Sequence, residues 1–166
     1  MFLTAALLAL VFFFILGIKD LVFVRRAQAY ETLLFLLLFF LFAALFSSFP
    51  AWGAPRALLA SLAAGVAAFS LLYGFFNYAF PDISSFRKIA AAGAAALLLF
   101  QGSVALLFLP FGFLAQTILL FLAAVILVQC ASGSFRGSIA RREVLAYALS
   151  FFAVALVVFG SVSWSP

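Results

Sequence analysis

Long apolar runs, separated by short breaks that contain polar residues, glycine or proline, make up almost the whole chain. Runs such as residues 33–46 and 89–100 lack the alternation of apolar and polar positions that strands of a membrane barrel show. A helix needs about 20 residues to cross the hydrocarbon core of a bilayer. We therefore predict membrane-spanning helices, in which each backbone N–H and C=O finds its partner within the same segment.

The breaks divide the chain into six predicted helical segments. Prolines at positions 50, 55 and 81 separate the second, third and fourth segments, because proline ends a helix. The run at residues 86–130 is too long for one crossing, and Pro110 followed by Gly112 is its predicted fold point. The predicted fold class is all-α, a polytopic transmembrane helical bundle that forms one domain over residues 1–166. Its predicted helices are residues 2–24, 32–49, 56–80, 87–109, 111–129 and 141–159.

The composition supports hydrocarbon as the solvent of most of the chain. Hydrophobic residues make up 70% of it and charged residues 8%, whereas an average soluble domain has about 25% charged residues. So few charges could not cover a water-exposed surface. The net charge is +5. The basic residues lie in short runs between apolar segments and not along one face of the protein, so we expect no binding of nucleic acid.

The positions of the basic residues predict the orientation of the chain. If the first, third and fifth connectors lie in the cytoplasm, eight of the nine basic residues lie there and only Arg56 lies on the opposite side. We therefore predict an N-out/C-out topology in a bacterial inner (plasma) membrane, with cytoplasmic basic loops. The positive charges follow the first apolar run, so we interpret it as a retained helix and not as a signal peptide. The eight residues are Lys19, Arg25, Arg26, Arg87, Lys88, Arg136, Arg141 and Arg142.

Residues that could carry catalysis are scarce. The chain has no histidine and a single cysteine, Cys130, so it lacks the commonest metal ligand, the commonest general base and any pair of cysteines for an intrachain disulfide. No paired carboxylates lie within the apolar segments, and no glycine-rich phosphate loop follows a strand pattern. We therefore predict that the protein is not an enzyme and that it binds no metal and no cofactor.

Asp20 is the candidate charged site. It lies beside Lys19 near the predicted cytoplasmic end of the first segment. The interpretation we favour is an interfacial pair whose side chains reach toward the headgroups. The alternative is a functional role, because ionisable groups inside a bilayer are often functional. Asp20 would then bind a proton or a cation, or pair with Arg87 or Arg141.

Four uncharged polar residues form a candidate intramembrane pocket. Gln101 and Ser103 precede Pro110 by about as many residues as Gln116 and Thr117 follow it. On adjacent antiparallel helices the two sets would therefore reach similar depths. The favoured interpretation is packing between the fourth and fifth segments through hydrogen bonds. The alternative is a polar pocket, open to the outer face, that binds an amphiphile.

Small residues in the third segment form a candidate helix-packing interface. Ala57, Ser61 and Gly65 recur every four residues, a spacing that lets two helix backbones approach closely. The partner helix could belong to the same chain, to a second copy or to another protein.

We consider three functions. The favoured one is a non-catalytic integral membrane subunit or scaffold that packs against other membrane proteins, because the loops are short, no soluble domain is evident and small residues line helix faces. The first alternative is a membrane-embedded sensor domain that binds a small amphiphile or lipid from the outer leaflet. The second is a small transporter or lipid-handling protein, which would need a central cavity. The expected partners are membrane lipids together with other membrane protein subunits or further copies of the chain.

Overall fold

A computed structural model describes residues 26–48, 54–137 and 141–161, and all five elements in these ranges are α-helices. The all-α prediction is therefore confirmed, although the described residues contain five helices and not six. The first predicted segment, residues 2–24 with Asp20, lies outside the described residues. The helices are α1 (Arg26–Ser48), α2 (Ala54–Ala79), α3 (Ser85–Leu107), α4 (Phe113–Phe135) and α5 (Arg141–Ser161).

Two of the predicted helix bounds are wrong by more than a turn. Helix α1 begins at Arg26 instead of residue 32, since the alanines, arginine and glutamine at this end favour helix. Helix α4 continues past the predicted end at residue 129 and through Gly133 to Phe135. The turn comes at Gly137, whose φ of 68° lies in the left-handed region that glycine adopts without steric cost.

Helices α1 to α4 form an up-and-down four-helix bundle. Each packs against two neighbours in the cyclic order α1, α2, α3, α4 and back to α1. The fully buried side chains between them include Phe42 of α1, Leu72 and Phe76 of α2 and Val128 of α4. Helix α5 lies outside this ring and packs mainly against α4.

One end of the bundle is rich in basic residues, and we call it the basic end: here α1 and α3 begin and α2 and α4 end. The rings of Tyr30 and Tyr78 lie 3.9 Å apart, centroid to centroid, which brings the start of α1 to the end of α2. Phe80, which follows α2, packs at 5.2 Å against Phe135 at the end of α4. The guanidinium of Arg136 lies 5.8 Å from the centre of the Phe80 ring, a cation–π contact.

Helices α2 and α3 are the most extensively packed pair, and small residues line the contact. Ala64 and Ala68 of α2 and Ala92 and Ala95 of α3 are all buried. A Cβ added at Gly65 would lie 3.3 Å from the Cβ of Phe100. Because residue 65 has no side chain, α2 and α3 can lie this close together with Phe100 packed against the backbone of α2.

The bundle is that of a multi-pass integral membrane protein. Helices α1 to α4 are each long and apolar enough to span a membrane, whereas the apolar section of α5, Leu145–Val157, is shorter. Large apolar side chains such as Leu59, Phe86 and Leu145 lie exposed on the outside of the helices. Hydrocarbon solvates such surfaces at no cost, while water does not.

Candidate functional site

The four residues of the predicted polar pocket have different environments. Ser103, Gln116 and Thr117 are buried, whereas Gln101 is exposed on the outside of α3. No hydrogen bond joins any two of these four side chains. The structure therefore places three of them within the bundle and separates Gln101 from the group.

Gln116 forms hydrogen bonds to the end of α3 and to the connector between α3 and α4. Its Nε2 donates to the carbonyl oxygens of Leu106 at 2.8 Å and Leu109 at 3.3 Å. The Leu106 oxygen also accepts from the backbone N–H of Leu109 at 3.2 Å, and the Leu109 oxygen accepts from that of Phe111 at 2.8 Å. Gln116 therefore adds side-chain hydrogen bonds, from the first turn of α4, to carbonyls that already have a backbone partner.

Ser103 and Thr117 form hydrogen bonds within their own helices. The Ser103 hydroxyl donates to the carbonyl oxygen of Phe100 and the Thr117 hydroxyl to that of Phe113, both at 2.7 Å. Such bonds satisfy a buried hydroxyl without a partner helix. A polar pocket made by these residues thus stays a prediction, and their observed hydrogen bonds are all to backbone carbonyls.

Replacing Gln116 by leucine is expected to destabilise the bundle by about 1 kcal/mol, because two hydrogen bonds of about 0.6 kcal/mol each are lost. Unfolding by SDS in mixed micelles, followed by circular dichroism, measures the change. Gln101→Leu, compared at a protein concentration low enough that single chains unfold, is the matched control, since Gln101 makes no hydrogen bond within the described residues. Equal stability of the two variants would show that the Gln116 amide contributes nothing to the connector.

The predicted small-residue interface lies within the chain over part of its length. Ala57 and Ser61 are buried, and Gly65 is half-buried beside Phe100 of α3. The Ser61 hydroxyl is buried and has no hydrogen-bonding partner in the described part of the chain. At Gly65, therefore, this face packs against a helix of the same chain.

Two polar contacts between helices at the basic end have no counterpart among the sequence predictions. The Lys88 ammonium, on a side chain only 3% exposed, donates to Asn77 Oδ1 at 3.2 Å. Gln129 Nε2 of α4 donates to Glu31 Oε1 of α1 at 2.7 Å. The first contact joins α2 to α3 and the second joins α1 to α4. Two of the four helix pairs of the ring are therefore linked by side-chain hydrogen bonds at the basic end.

A signal for only one of these contacts is present in the sequence. Asn77 and Lys88 lie about equally far from the turn at Asp82, so an antiparallel helical hairpin brings them opposite each other. Glu31 and Gln129 are separated by 98 positions. Their contact depends on α4 closing the ring onto α1, which no local pattern reveals.

Two grooves on the outside of the bundle are lined by apolar residues. One, of about 350 Å³, lies between α3, α4 and α5, with Leu98, Leu120 and Phe151 among its lining residues. The other, of about 230 Å³, lies between α2 and α3 beside Gly65 and Gly93. Such grooves suit an acyl chain or an apolar side chain.

No group of three or more potential metal-ligating side chains is present among the described residues. No protein-family model matches the chain, and no curated protein or solved structure matches it.

Proposed function

We propose that this protein is a non-catalytic integral membrane subunit or scaffold that packs against other membrane proteins. The observation that carries the proposal is the outward face of α5. Four small residues and one valine recur there at alternating spacings of four and three positions, and all of them are exposed. We call this face the α5 seam; it consists of Ala146, Ser150, Ala153, Val157 and Gly160.

The spacing of the α5 seam is typical of a helix that packs against another helix. A repeat of four and three residues keeps one narrow stripe directed at a partner. Small residues at such positions allow close backbone approach, which drives association in lipid. Because α5 lies outside the four-helix ring, the α5 seam is accessible to a helix of another protein.

The same proposal puts the basic end in the cytoplasm of a bacterial inner (plasma) membrane. Arg87, Lys88 and Arg136 belong to the basic end, while Arg56 is near the start of α2 at the opposite end. This asymmetry supports the orientation, since basic residues are retained on the cytoplasmic side.

Native mass spectrometry of the protein, extracted in mild detergent from its own membrane, tests the proposal. We expect other polypeptides to remain bound at fixed stoichiometry. Ser150→Phe places a large ring in the α5 seam and is expected to remove the partner, whereas Leu149→Phe, at an exposed position beside it, is expected to retain the partner. A chain that carries no other polypeptide, or a partner that Ser150→Phe leaves bound, would contradict the proposal.

A sensor of amphiphiles is the second candidate, and the groove between α3, α4 and α5 favours it. Its volume of about 350 Å³ and its apolar lining suit an acyl chain. A chain that retains one small molecule and no other polypeptide in the same experiment would favour this function. Transport receives less support, because polar or charged groups do not line the two grooves.

A further inference from the structure

Gln101 differs from Gln116, the other glutamine near the connector between α3 and α4. Its side chain is exposed on α3, and no group among the described residues forms a hydrogen bond with it. Gln116, at a similar depth, is only 4% exposed and donates to two carbonyls. The chain thus satisfies one glutamine internally and presents the other to the surroundings of the bundle.

The position of Gln101 keeps its amide within the hydrocarbon layer. It precedes the last residue of α3, Leu107, by six positions, which is about 9 Å along the helix axis. Side chains of a helix lean toward its N-terminus, so the Gln101 amide leans toward the middle of the membrane and away from the nearer surface. Lipid tails offer it no hydrogen bond, and an unpaired amide in an apolar medium is costly.

The surface around Gln101 permits another helix to approach. Ala94 and Ala105 lie on the same exposed stripe of α3, one turn or two away from Gln101, and Leu97 and Leu98 flank it. We call these five residues the Gln101 face. Small residues beside a polar one allow the backbones to come close enough for side-chain hydrogen bonds between helices.

We propose that the Gln101 face binds a second copy of this chain, with the two Gln101 amides hydrogen-bonded to each other. An amide carries both a donor and an acceptor, so two identical amides satisfy one another. A two-fold axis brings the same surface of both copies together. Copies with the same orientation in the membrane hold Gln101 at the same depth, whereas another protein would need its own polar group at that depth.

This interface is separate from the surface that supports the proposed function. The Gln101 face belongs to α3 and the α5 seam to α5, so a dimer formed through α3 leaves the seam available. Failure of one proposal therefore does not decide the other. Association of purified chains tests the Gln101 face, while retention of other polypeptides tests the α5 seam.

The first test is self-association of the purified full chain in liposomes, measured by energy transfer between labelled copies over a series of protein-to-lipid ratios. We expect the wild-type chain to dimerise. We expect Gln101→Leu to weaken association about three- to tenfold, from the loss of hydrogen bonds between helices. The variant keeps every hydrogen bond that the structure gives the single chain, so its fold is retained.

The second test is oxidative cross-linking in a Cys130→Ser background. Ala105→Cys, which keeps the Gln101 amide, is expected to form a disulfide between two copies, because Ala105 belongs to the Gln101 face that meets itself at a two-fold axis. Leu58→Cys is the matched control: Leu58 is exposed on α2 and lies within about one turn of its helix end, as Ala105 does, and it is expected to cross-link little. Wild-type chains that remain monomeric, unchanged association of Gln101→Leu, or equal cross-linking at both positions would each overturn the proposal.

Discussion

Replacing Gly65 by leucine is expected to destabilise the bundle by about 1–3 kcal/mol, the usual cost of overpacking a close contact. An added Cβ would lie 3.3 Å from the Cβ of Phe100 and 3.8 Å from its Cγ. Rotation about the Phe100 side chain cannot move its Cβ, so relief of the contact requires the backbones of α2 and α3 to separate. The remaining atoms of leucine would require still more space.

Gly74→Leu is the matched control for this effect. It lies on the same helix as Gly65, but an added Cβ there would meet nothing within 4 Å. Leucine also favours helix over glycine, so we expect no loss of stability. The free energy of unfolding in SDS mixed micelles, measured at low protein concentration, compares the two variants.

The low protein concentration distinguishes two locations for the interface formed by Ala57, Ser61 and Gly65. It can lie within one chain or between two chains. A destabilised Gly65→Leu monomer would place the contact within the chain, as the structure does. A stable monomer that fails to associate with a partner would instead show that Gly65 lies in an interface between chains, and would contradict the packing of α2 on α3 described above.

The main features of the fold follow from local patterns. The continuous apolar runs were sufficient to predict the four helices of the bundle. Pro81 and Pro110 were sufficient to predict the two tight connectors between α2, α3 and α4. The predicted alternation of direction agrees with the basic end, where α1 and α3 begin and α2 and α4 end. These features depend on the missing N–H of proline and on helix length alone.

The end of α4 could not be predicted in this way, because tertiary packing overrides the local signal. Gly133 and its polar neighbours are typical of a loop, yet the helix continues to Phe135. The Phe135 ring packs edge-on against Phe76 at 5.3 Å and also against Phe80 at 5.2 Å. Burial of this ring against the end of α2 stabilises a last helical turn that the sequence around Gly133 does not favour.

The candidate pocket shows what counting residues along a helix does not predict. Counting residues from Pro110 places Gln101, Ser103 and Gln116 at similar depths, but it does not give their direction around the helix. Residues two positions apart lie on nearly opposite sides of a helix, so Gln101 and Ser103 could not both face α4. The structure buries Ser103 and exposes Gln101.

The second large effect is expected at the basic end, where Asn77→Leu should destabilise the bundle by about 2 kcal/mol. The Lys88 side chain is buried, and Asn77 Oδ1, at 3.2 Å, is the side-chain acceptor that the structure describes for its ammonium. A hydrogen bond to a charged group contributes about 1.5–3 kcal/mol. Removing the acceptor leaves a buried ammonium that has lost this partner.

Removing the charge itself should have a much smaller effect. In Lys88→Met an apolar chain of similar length replaces the lysine, and replacing buried charges by well-packed apolar groups is often neutral or stabilising. We therefore expect Lys88→Met to unfold at nearly the wild-type SDS concentration. Asn77→Leu combined with Lys88→Met should recover most of the stability that Asn77→Leu alone loses.

This double-mutant cycle distinguishes a hydrogen bond that only offsets the burial of the Lys88 ammonium from one that stabilises the bundle in itself. If the two substitutions compensate, Asn77 acts mainly to accept a hydrogen bond from a buried cation within the α2–α3 hairpin. If Lys88→Met is as destabilising as Asn77→Leu and the double variant loses no more than either, the Lys88–Asn77 bond is favourable in itself, and the expectation for Lys88→Met is wrong.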